Sequence, residues 1–374
     1  MKELIIHIGF GKCASSSIQG HLTANPEFTL NNRKFQYIGF GGKKLIPSDE
    51  IKQRIEYSPR FFTTNISKNE EILIQQLKIL KKSNIDIGII SNEGLANPKW
   101  LVGKRQQIFA KLDIPIRIFM VVRPFTEFLN ASWWQWGAFS ERNLNNWLKI
   151  FNHDIYSAGL SNWLKLPNVV EHKVVDINDE PVIKFAQYLG IDGVSNNQNN
   201  ISSSSDLLRF LINNKKKFKR ETHSPLIEFI LNEEIAIKTP RPPFVIPLNL
   251  EKNICESFLE PHNQTCSSQL EEIMRFHADY MFNAFGERKI LNQKDFSMQK
   301  FLNEPYNSDF LTRLCYVLTN RIHVPLNFDP NKYLFLNPEA KDARLNPYQH
   351  YLHTVSTKNW YNNFGTKLIK KLQK

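Results

Sequence analysis

A short loop rich in glycine and hydroxyl side chains carries the strongest chemical signal in the sequence. Residues 9–17 read GFGKCASSS and lie between an apolar run at 3–9 and a helical pattern that begins at Ser15. Glycines let the backbone turn tightly, amide groups at a helix start point at an anion, and lysine and hydroxyls complete the cradle. The loop predicts a grip for a phosphate or a sulfate, and the alternative is an ordinary glycine turn with a surface lysine. The spacing differs from a Walker A loop, which has four residues between its first glycine and the Gly-Lys pair.

Polar residues follow two further apolar runs in the same way. Glu93 comes just after the run at 85–91, and Arg123 comes directly after the run at 116–122. Near-continuous apolar strands separated by helical stretches are typical of a parallel sheet covered by helices. Ligands bind such sheets beyond the carboxyl ends of the strands, so we expect Glu93 and Arg123 at the same edge as the loop.

The remaining pattern extends this α/β part to about residue 192. Helical stretches lie at 69–82, 99–112, 157–166 and 180–190, and a fourth strand lies at 169–177. We predict an α/β fold, a P-loop-like parallel sheet flanked by helices, with a mainly helical C-terminal appendage. The predicted domains are a nucleotide-binding domain at 1–290, which includes an amphipathic helix around 268–286, and a small helical module at 291–374.

Composition limits the class of protein. Of 374 residues 41% are apolar, which favours a folded chain over a disordered one, and 48 Lys and Arg against 36 Asp and Glu give a net charge of +12. That charge favours an anionic partner without naming one, and a basic run at 215–220 reads as a solvated helix face. The four cysteines form neither a CxxC pair nor a disulfide framework, and no metal site is indicated. Without a signal peptide or an apolar run of membrane length, the sequence predicts a cytoplasmic protein with no transmembrane segment.

The loop and the strand ends together resemble the sulfotransferases that use 3′-phosphoadenosine 5′-phosphosulfate (PAPS). The family motif, roughly G-x-x-K-x-G-T-[ST], is matched at Gly9, Lys12, Ser15 and Ser16, and Ala14 stands where the family usually has glycine. The resemblance implies that Lys12 contacts the bridging oxygen of the phosphosulfate and acts in catalysis, while hydroxyls and backbone amides bind the 5′ end. The loop residues assigned to the cofactor on this basis are Gly9, Gly11, Lys12, Cys13, Ala14, Ser15 and Ser16.

A second family motif grips the 3′-phosphate with an arginine at a strand end and a serine eight residues further on. Here the arginine is Arg123, but the eighth residue is Ala131 and the serine is Ser132. The resemblance, which covers residues 3 to about 215, implies that Arg123 and Ser132 bind the cofactor. Arg123 could instead form a surface ion pair.

Glu93 is the strongest candidate for the catalytic base, because it follows an apolar strand at the edge shared with the loop and because a family carboxylate often occupies this position. Its alternative role is to cap the following helix or to pair with a lysine. His7 lies inside a strand and reads as a core histidine. His21 and His153 are further candidate bases that no spacing recommends.

The stretch WWQWG at 133–137 resembles bacterial sulfotransferases associated with surface polysaccharides. Trp134, Gln135 and Arg142 are the predicted acceptor-binding residues, and at most one tryptophan should face the acceptor since successive helix positions point in different directions. Residues 326–358 resemble a short module appended to bacterial capsule and exopolysaccharide enzymes.

The sequence thus favours a PAPS-dependent, metal-free sulfotransferase that acts on a saccharide or glycan acceptor. One alternative is a P-loop-like nucleotide kinase, which shares the anion loop but lacks the Walker A spacing and a convincing strand-end Asp for magnesium. The other is a degenerate protein that binds a nucleotide or polyanion without catalysis. Specific nucleic-acid binding is not expected, because the sequence has no recognised module for it.

Overall fold

The computed structural model describes residues 2–53, 61–140, 143–151, 154–194, 203–215, 231, 242–259, 267–290 and 296–320. The chain divides into two compact units. The first comprises Met1–Ile55, Arg60–Asn200 and Phe244–Phe296, and the second Glu56–Pro59, Ile201–Pro243 and Ser297–Lys374. The predicted residues Arg142 and His153, most of the basic run, and the module at 326–358 lie outside the described residues.

Eight strands within the described residues belong to the first unit. They are β1 (Glu3–His7), β2 (Glu27–Leu30), β3 (Arg33–Tyr37), β4 (Phe40–Gly41), β5 (Lys44–Leu45), β6 (Ile87–Ser91), β7 (Ile116–Val122) and β8 (Val169–Asp176). Six of them form one sheet in the order β2-β3-β6-β1-β7-β8, and β4 pairs with β5 in a small ribbon. Only β2 is antiparallel to its neighbour in the large sheet. The prediction of an α/β fold with a mostly parallel sheet is confirmed.

The central strands owe their position to their apolar sequences. Every residue of β6 is buried, as are all but the first residue of β1, whereas the edge strand β8 exposes its first half. Continuous apolar strands of this kind belong in the middle of a parallel sheet that is covered on its faces. The register aligns His7 with Ser91 on one side and with Phe119 on the other, so the carboxyl ends of β1, β6 and β7 share one edge.

Thirteen α-helices lie within the described residues, besides two short 3-10 helices, Glu93–Ala96 and Gly137–Phe139. In the first unit these are α1 (Ser15–Ala24), α2 (Ser48–Gln53), α3 (Glu70–Lys82), α4 (Lys104–Ala110), α5 (Phe125–Gln135), α6 (Leu144–Leu148), α7 (Ile155–Leu164), α8 (Pro181–Tyr188), α10 (Leu248–Leu259) and α11 (Ser268–Ile290). In the second unit they are α9 (Ser205–Asn213), α12 (Met298–Asn303) and α13 (Ser308–Asn320). The C-terminal region that the structure describes is therefore helical, as expected. None of the described helices is both long and apolar enough to span a bilayer.

Local sequence explains where several helices begin. Asn69 caps α3 by accepting hydrogen bonds from the backbone N–H of Glu71 and Ile72, and lysines occupy the last turn. Helix α4 is shorter than the predicted stretch at 99–112 because Gly103, with φ of 59°, sets its start.

Helix α11, late in the chain, lies against the sheet of the first unit. Helix α11 returns to the edge strand β8, where Gln269 Oε1 accepts a hydrogen bond of 3.1 Å from the backbone N–H of Val174. Just before the helix, Ser267 Oγ lies 2.8 Å from His172 Nε2 on the same strand. These contacts satisfy polar groups of an edge strand that the sheet itself leaves unpaired.

The second unit has its own buried polar centre. Arg209 on α9 donates to Glu304 Oε2 at 2.6 Å, pairs with Asp206, and stacks over the rings of Phe301 and Tyr306. A buried guanidinium with carboxylate and aromatic partners satisfies the requirement that buried charges be paired.

Candidate anion-binding site

The loop between β1 and α1 has a strained backbone. Lys12 and Ala14 both adopt positive φ, at 69° and 57°. This region costs a residue with a β-carbon about 1–2 kcal/mol, and such strain concentrates at functional sites. Ala14 is the N-cap of α1 and its methyl group offers no hydrogen-bond acceptor. The partial positive charge at the start of α1 is therefore not offset by a capping side chain.

Gly9 is required at its position by close packing. A β-carbon there would lie 2.1 Å from Ser15 Oγ and 3.0 Å from His7 Nε2, so no larger residue fits without a shift. Ser15 is buried, and its hydroxyl donates to the carbonyl of Phe10 at 3.2 Å. Ser15 thus braces the loop from within, whereas Ser16 and Lys12 are only half-buried.

His7 lies beneath this loop at the end of β1. Its side chain is fully buried, and burial lowers its pKa to about 3, so the imidazole is neutral. Nδ1 lies 2.7 Å from Ser91 Oγ at the end of β6. Nε2 is buried without a hydrogen-bond partner among the described residues and is the atom that approaches Gly9. The expectation of a core histidine is confirmed, but one of its two nitrogens is unsatisfied beside the loop.

Glu93 and Trp136 both lie against Gly11. A β-carbon on Gly11 would be 2.6 Å from Trp136 Cη2 and 3.4 Å from Glu93 Oε2. Glu93 opens a one-turn 3-10 helix, Glu93–Ala96, but Asn92 caps it, with Oδ1 accepting from the N–H of Gly94 at 2.7 Å. Asn92, and not Glu93, is therefore the N-cap of this 3-10 helix, and the half-buried Glu93 carboxylate adjoins the anion loop.

Arg123 is the first residue after β7, the strand next to β1. Its carbonyl accepts a hydrogen bond of 2.9 Å from the Tyr156 hydroxyl, and its Nε lies 3.8 Å from Glu127 Oε2. The positive charge of Arg123 acts on the Cys13 thiol in the loop. Burial raises the pKa of the Cys13 thiol to about 12, and Arg123 opposes that rise without overcoming it. Cys13 therefore stays protonated and is no nucleophile, in line with a passive backbone role.

Of the predicted binding residues on α5, Ser132 and Trp134 are less accessible to a ligand than Lys12 and Ser16. Ser132 is fully buried, and its hydroxyl donates to the carbonyl of Leu129 at 2.9 Å, within its own helix. Trp134 is only 5% exposed and packs edge-on against Phe296 at 5.6 Å. Gln135 is half-buried, and its Oε1 has no hydrogen-bond partner in the described part of the chain. Trp136, which the sequence analysis did not assign, is the tryptophan of this stretch that adjoins Gly11 and Glu93.

A buried carboxylate–histidine pair at the same edge was also missed. Asp176 ends β8 opposite Val122, the residue before Arg123, and Asp176 Oδ2 is hydrogen-bonded to His277 Nε2 on α11. Burial raises the pKa of Asp176, but hydrogen bonds from His277 and Asn178 outweigh it, and the net pKa is lowered. The sequence signal for Asp176 was an aspartate directly after Val174 and Val175 at the end of a predicted strand. No local pattern indicated His277.

The cationic side chains of Lys12 and Arg123 could bind an anion at this edge of the sheet, and the Glu93 carboxylate lies beside the loop. Comparisons with known proteins found no match. No protein-family model, no curated protein and no solved structure is significantly similar to the chain.

Proposed function

We propose that this protein is a sulfotransferase that moves the sulfuryl group of PAPS to a hydroxyl or amine of a saccharide. One observation carries the proposal. Strands β6, β1 and β7 are adjacent and parallel, which brings Glu93, the loop at 9–17 and Arg123 to one edge of the sheet. The cationic side chains of Lys12 and Arg123, a helix start without a capping side chain and the Glu93 carboxylate suit the transfer of an anionic group.

The residues present fit the donor nucleotide in most respects. His7 Nε2 and Arg123 Nε are buried atoms without a hydrogen-bond partner among the described residues, and such unsatisfied polar atoms favour a polar ligand at this edge. Lys12, Ser16 and the amides at the start of α1 would hold the 5′ end, and Arg123 the 3′-phosphate. Ser132 fits less well, since its hydroxyl is bonded to Leu129.

When bound, the donor supplies the sulfuryl group, and the protein positions it and balances charge. In this account Lys12 neutralises the negative charge that grows on the departing phosphate oxygen, aided by the dipole of α1. Glu93 accepts the proton of the attacking hydroxyl or amine. Trp136 takes the acceptor-facing role that the sequence analysis gave to Trp134, because its indole adjoins Gly11 and Glu93.

A degenerate binder is the second candidate, and the burial of the Ser132 hydroxyl favours it. Such a protein would bind the nucleotide but transfer nothing. We place either activity in the cytoplasm, in keeping with the thiols of Cys13 and Cys255, which form no disulfide within the described residues.

A transfer assay separates these candidates. The protein is incubated with sulfur-labelled PAPS and a panel of unsulfated saccharides in the presence of a chelator, with Lys12→Ala and Glu93→Gln as variants. We expect label on at least one saccharide, lost in both variants, while Glu93→Gln still binds 3′-phosphoadenosine 5′-phosphate. Nucleotide binding without transfer to any acceptor would favour the degenerate binder, and magnesium-dependent turnover of ATP would favour a kinase.

A further inference from the structure

Three side chains form a polar chain from helix α11 to the proposed nucleotide edge. The hydroxyl of Tyr280 donates a hydrogen bond of 2.7 Å to Glu127 Oε1 on α5. The other oxygen of that carboxylate, Oε2, lies 3.8 Å from Nε of Arg123. A helix late in the chain thereby reaches the arginine that follows β7.

The contact between Glu127 and Arg123 is an ion pair without a hydrogen bond. A separation of 3.8 Å is too long for an N–H···O bond, and Arg123 Nε has no hydrogen-bond acceptor within the described residues. The Arg123 side chain is 24% exposed, so part of it is open to a ligand. Glu127 balances the charge of the guanidinium without a hydrogen bond to Nε, and the exposed part of the guanidinium, a group that matches a phosphate well, is open to a ligand.

Tyr280 occupies one oxygen of the Glu127 carboxylate. A bond at Oε1 opposes rotation of the carboxylate onto Arg123 at hydrogen-bond distance. The hydrogen bond to Glu127, with burial, raises the pKa of Tyr280 to about 12, so the phenol remains a donor at neutral pH. One turn earlier on α11, His277 binds Asp176 and fixes the helix against β8.

We propose that Tyr280 is a positioning residue, which through Glu127 keeps the Arg123 guanidinium available to the 3′-phosphate of the donor nucleotide. The inference rests on the proposed function, because the 3′-phosphate belongs to that donor. It adds a residue from α11, beyond the region that resembles the sulfotransferases.

The test compares two nucleotides that differ only in the 3′-phosphate. Calorimetry without metal measures the binding of 3′-phosphoadenosine 5′-phosphate and of adenosine 5′-phosphate to wild type and to Tyr280→Phe. We expect the variant to lose about three- to tenfold in affinity for the bisphosphate, because Glu127 released from Tyr280 competes with the 3′-phosphate for hydrogen bonds of Arg123. Affinity for the monophosphate and the unfolding temperature should stay unchanged, since the ring is kept and Tyr280 is 42% exposed.

Tyr188→Phe is the matched control. Tyr188 lies beside Arg117 at the start of β7, with its ring 4.3 Å from that guanidinium and its hydroxyl bonded to the carbonyl of Ile118. Removal of this hydroxyl, at the opposite end of the strand, should change neither affinity.

A double-mutant cycle ties the effect to Arg123. In the Arg123→Ala background, Tyr280→Phe should cause no further loss of bisphosphate affinity. Unchanged or tighter bisphosphate binding by Tyr280→Phe, or an equal loss for both nucleotides, overturns the inference while the proposed function stands. Absence of bisphosphate binding by the folded wild type overturns the proposed function and this inference with it.

Discussion

The indole of Trp136 lies directly over Gly11, at a distance that leaves no room for a β-carbon on the glycine. Such an atom would be 2.6 Å from Trp136 Cη2. The contact joins the anion loop to the end of α5, whose N-terminal end follows Arg123. The loop at 9–17 and helix α5 with Arg123 before it, the two halves of the proposed nucleotide site, are therefore in contact.

Gly11→Ala should displace Trp136 and disturb both halves. We expect a loss of about 1–3 kcal/mol in the free energy of unfolding, the usual cost of overpacking, together with weaker nucleotide binding. Urea denaturation and calorimetry measure the two effects. The smaller ring in Gly11→Ala/Trp136→Phe should restore part of the loss. Gly286→Ala is the control, because a β-carbon on Gly286 in α11 meets nothing within 4 Å and should stabilise the helix. No loss in Gly11→Ala would contradict the close contact.

Ala14→Gly should stabilise the protein. Ala14 has φ of 57°, where glycine avoids the β-carbon strain, and the relief exceeds the added flexibility of the unfolded chain by up to about 1 kcal/mol. The free energy of unfolding in urea measures this gain. Asp113→Gly is the matched control, since Asp113 has φ of 51° and is exposed away from the loop. It should give a similar gain and leave nucleotide affinity unchanged, whereas destabilisation by Ala14→Gly would count against the strained loop.

His7 should make stability depend on pH above the range in which carboxylates titrate. Its pKa falls from 6.5 in the unfolded chain to about 3 in the folded protein. Below pH 6.5 the unfolded chain binds a proton that the folded protein does not, so stability falls as pH drops from 6.5 towards 3. His7→Gln should flatten the slope of the unfolding free energy between pH 6.5 and 5. Because His21 and His172 also have lowered pKa values, the difference between wild type and variant isolates His7. An identical slope in the variant would contradict a buried, neutral His7.

The pair of Asp176 and His277 should be strongly coupled. His277→Ala leaves a buried carboxylate without its partner, and we expect a loss of about 3–5 kcal/mol in the free energy of unfolding. The addition of Asp176→Asn should recover part of that loss, because the uncompensated charge is removed. Arg275→Ala is the control on the same helix, since its pair with Glu271 is exposed and contributes little. Simple additivity of the two changes at the buried pair would argue against their contact.

The sheet and the position of the loop could be predicted because their signals are local. Apolar runs that end in glycine, glutamate or arginine mark the buried strands and their carboxyl ends, and β7 occupies the predicted stretch 116–122. The hairpin of β2 and β3 was not predicted, since its edge strand β2 carries no continuous apolar run.

The side chains around the loop could be predicted only in part. Whether Trp134 or Trp136 faces the loop depends on where α5 ends, and it ends at Gln135, so Trp136 leaves the helical phase. The partner of the Ser132 hydroxyl, the carbonyl of Leu129, follows from its rotamer and not from residue spacing. The contacts of Asp176 and Glu127 with α11 join residues about a hundred or more apart, which no local pattern encodes.

The most direct test of the account is the binding of 3′-phosphoadenosine 5′-phosphate without metal. Calorimetry compares wild type with Lys12→Ala and Arg123→Ala, and with Lys104→Ala and Arg275→Ala, which remove exposed cations elsewhere. We expect binding by wild type and by both controls, weakened about tenfold or more by Lys12→Ala and by Arg123→Ala. Absence of binding by the folded wild type, or equal binding by all five proteins, would contradict a nucleotide site that spans Lys12 and Arg123.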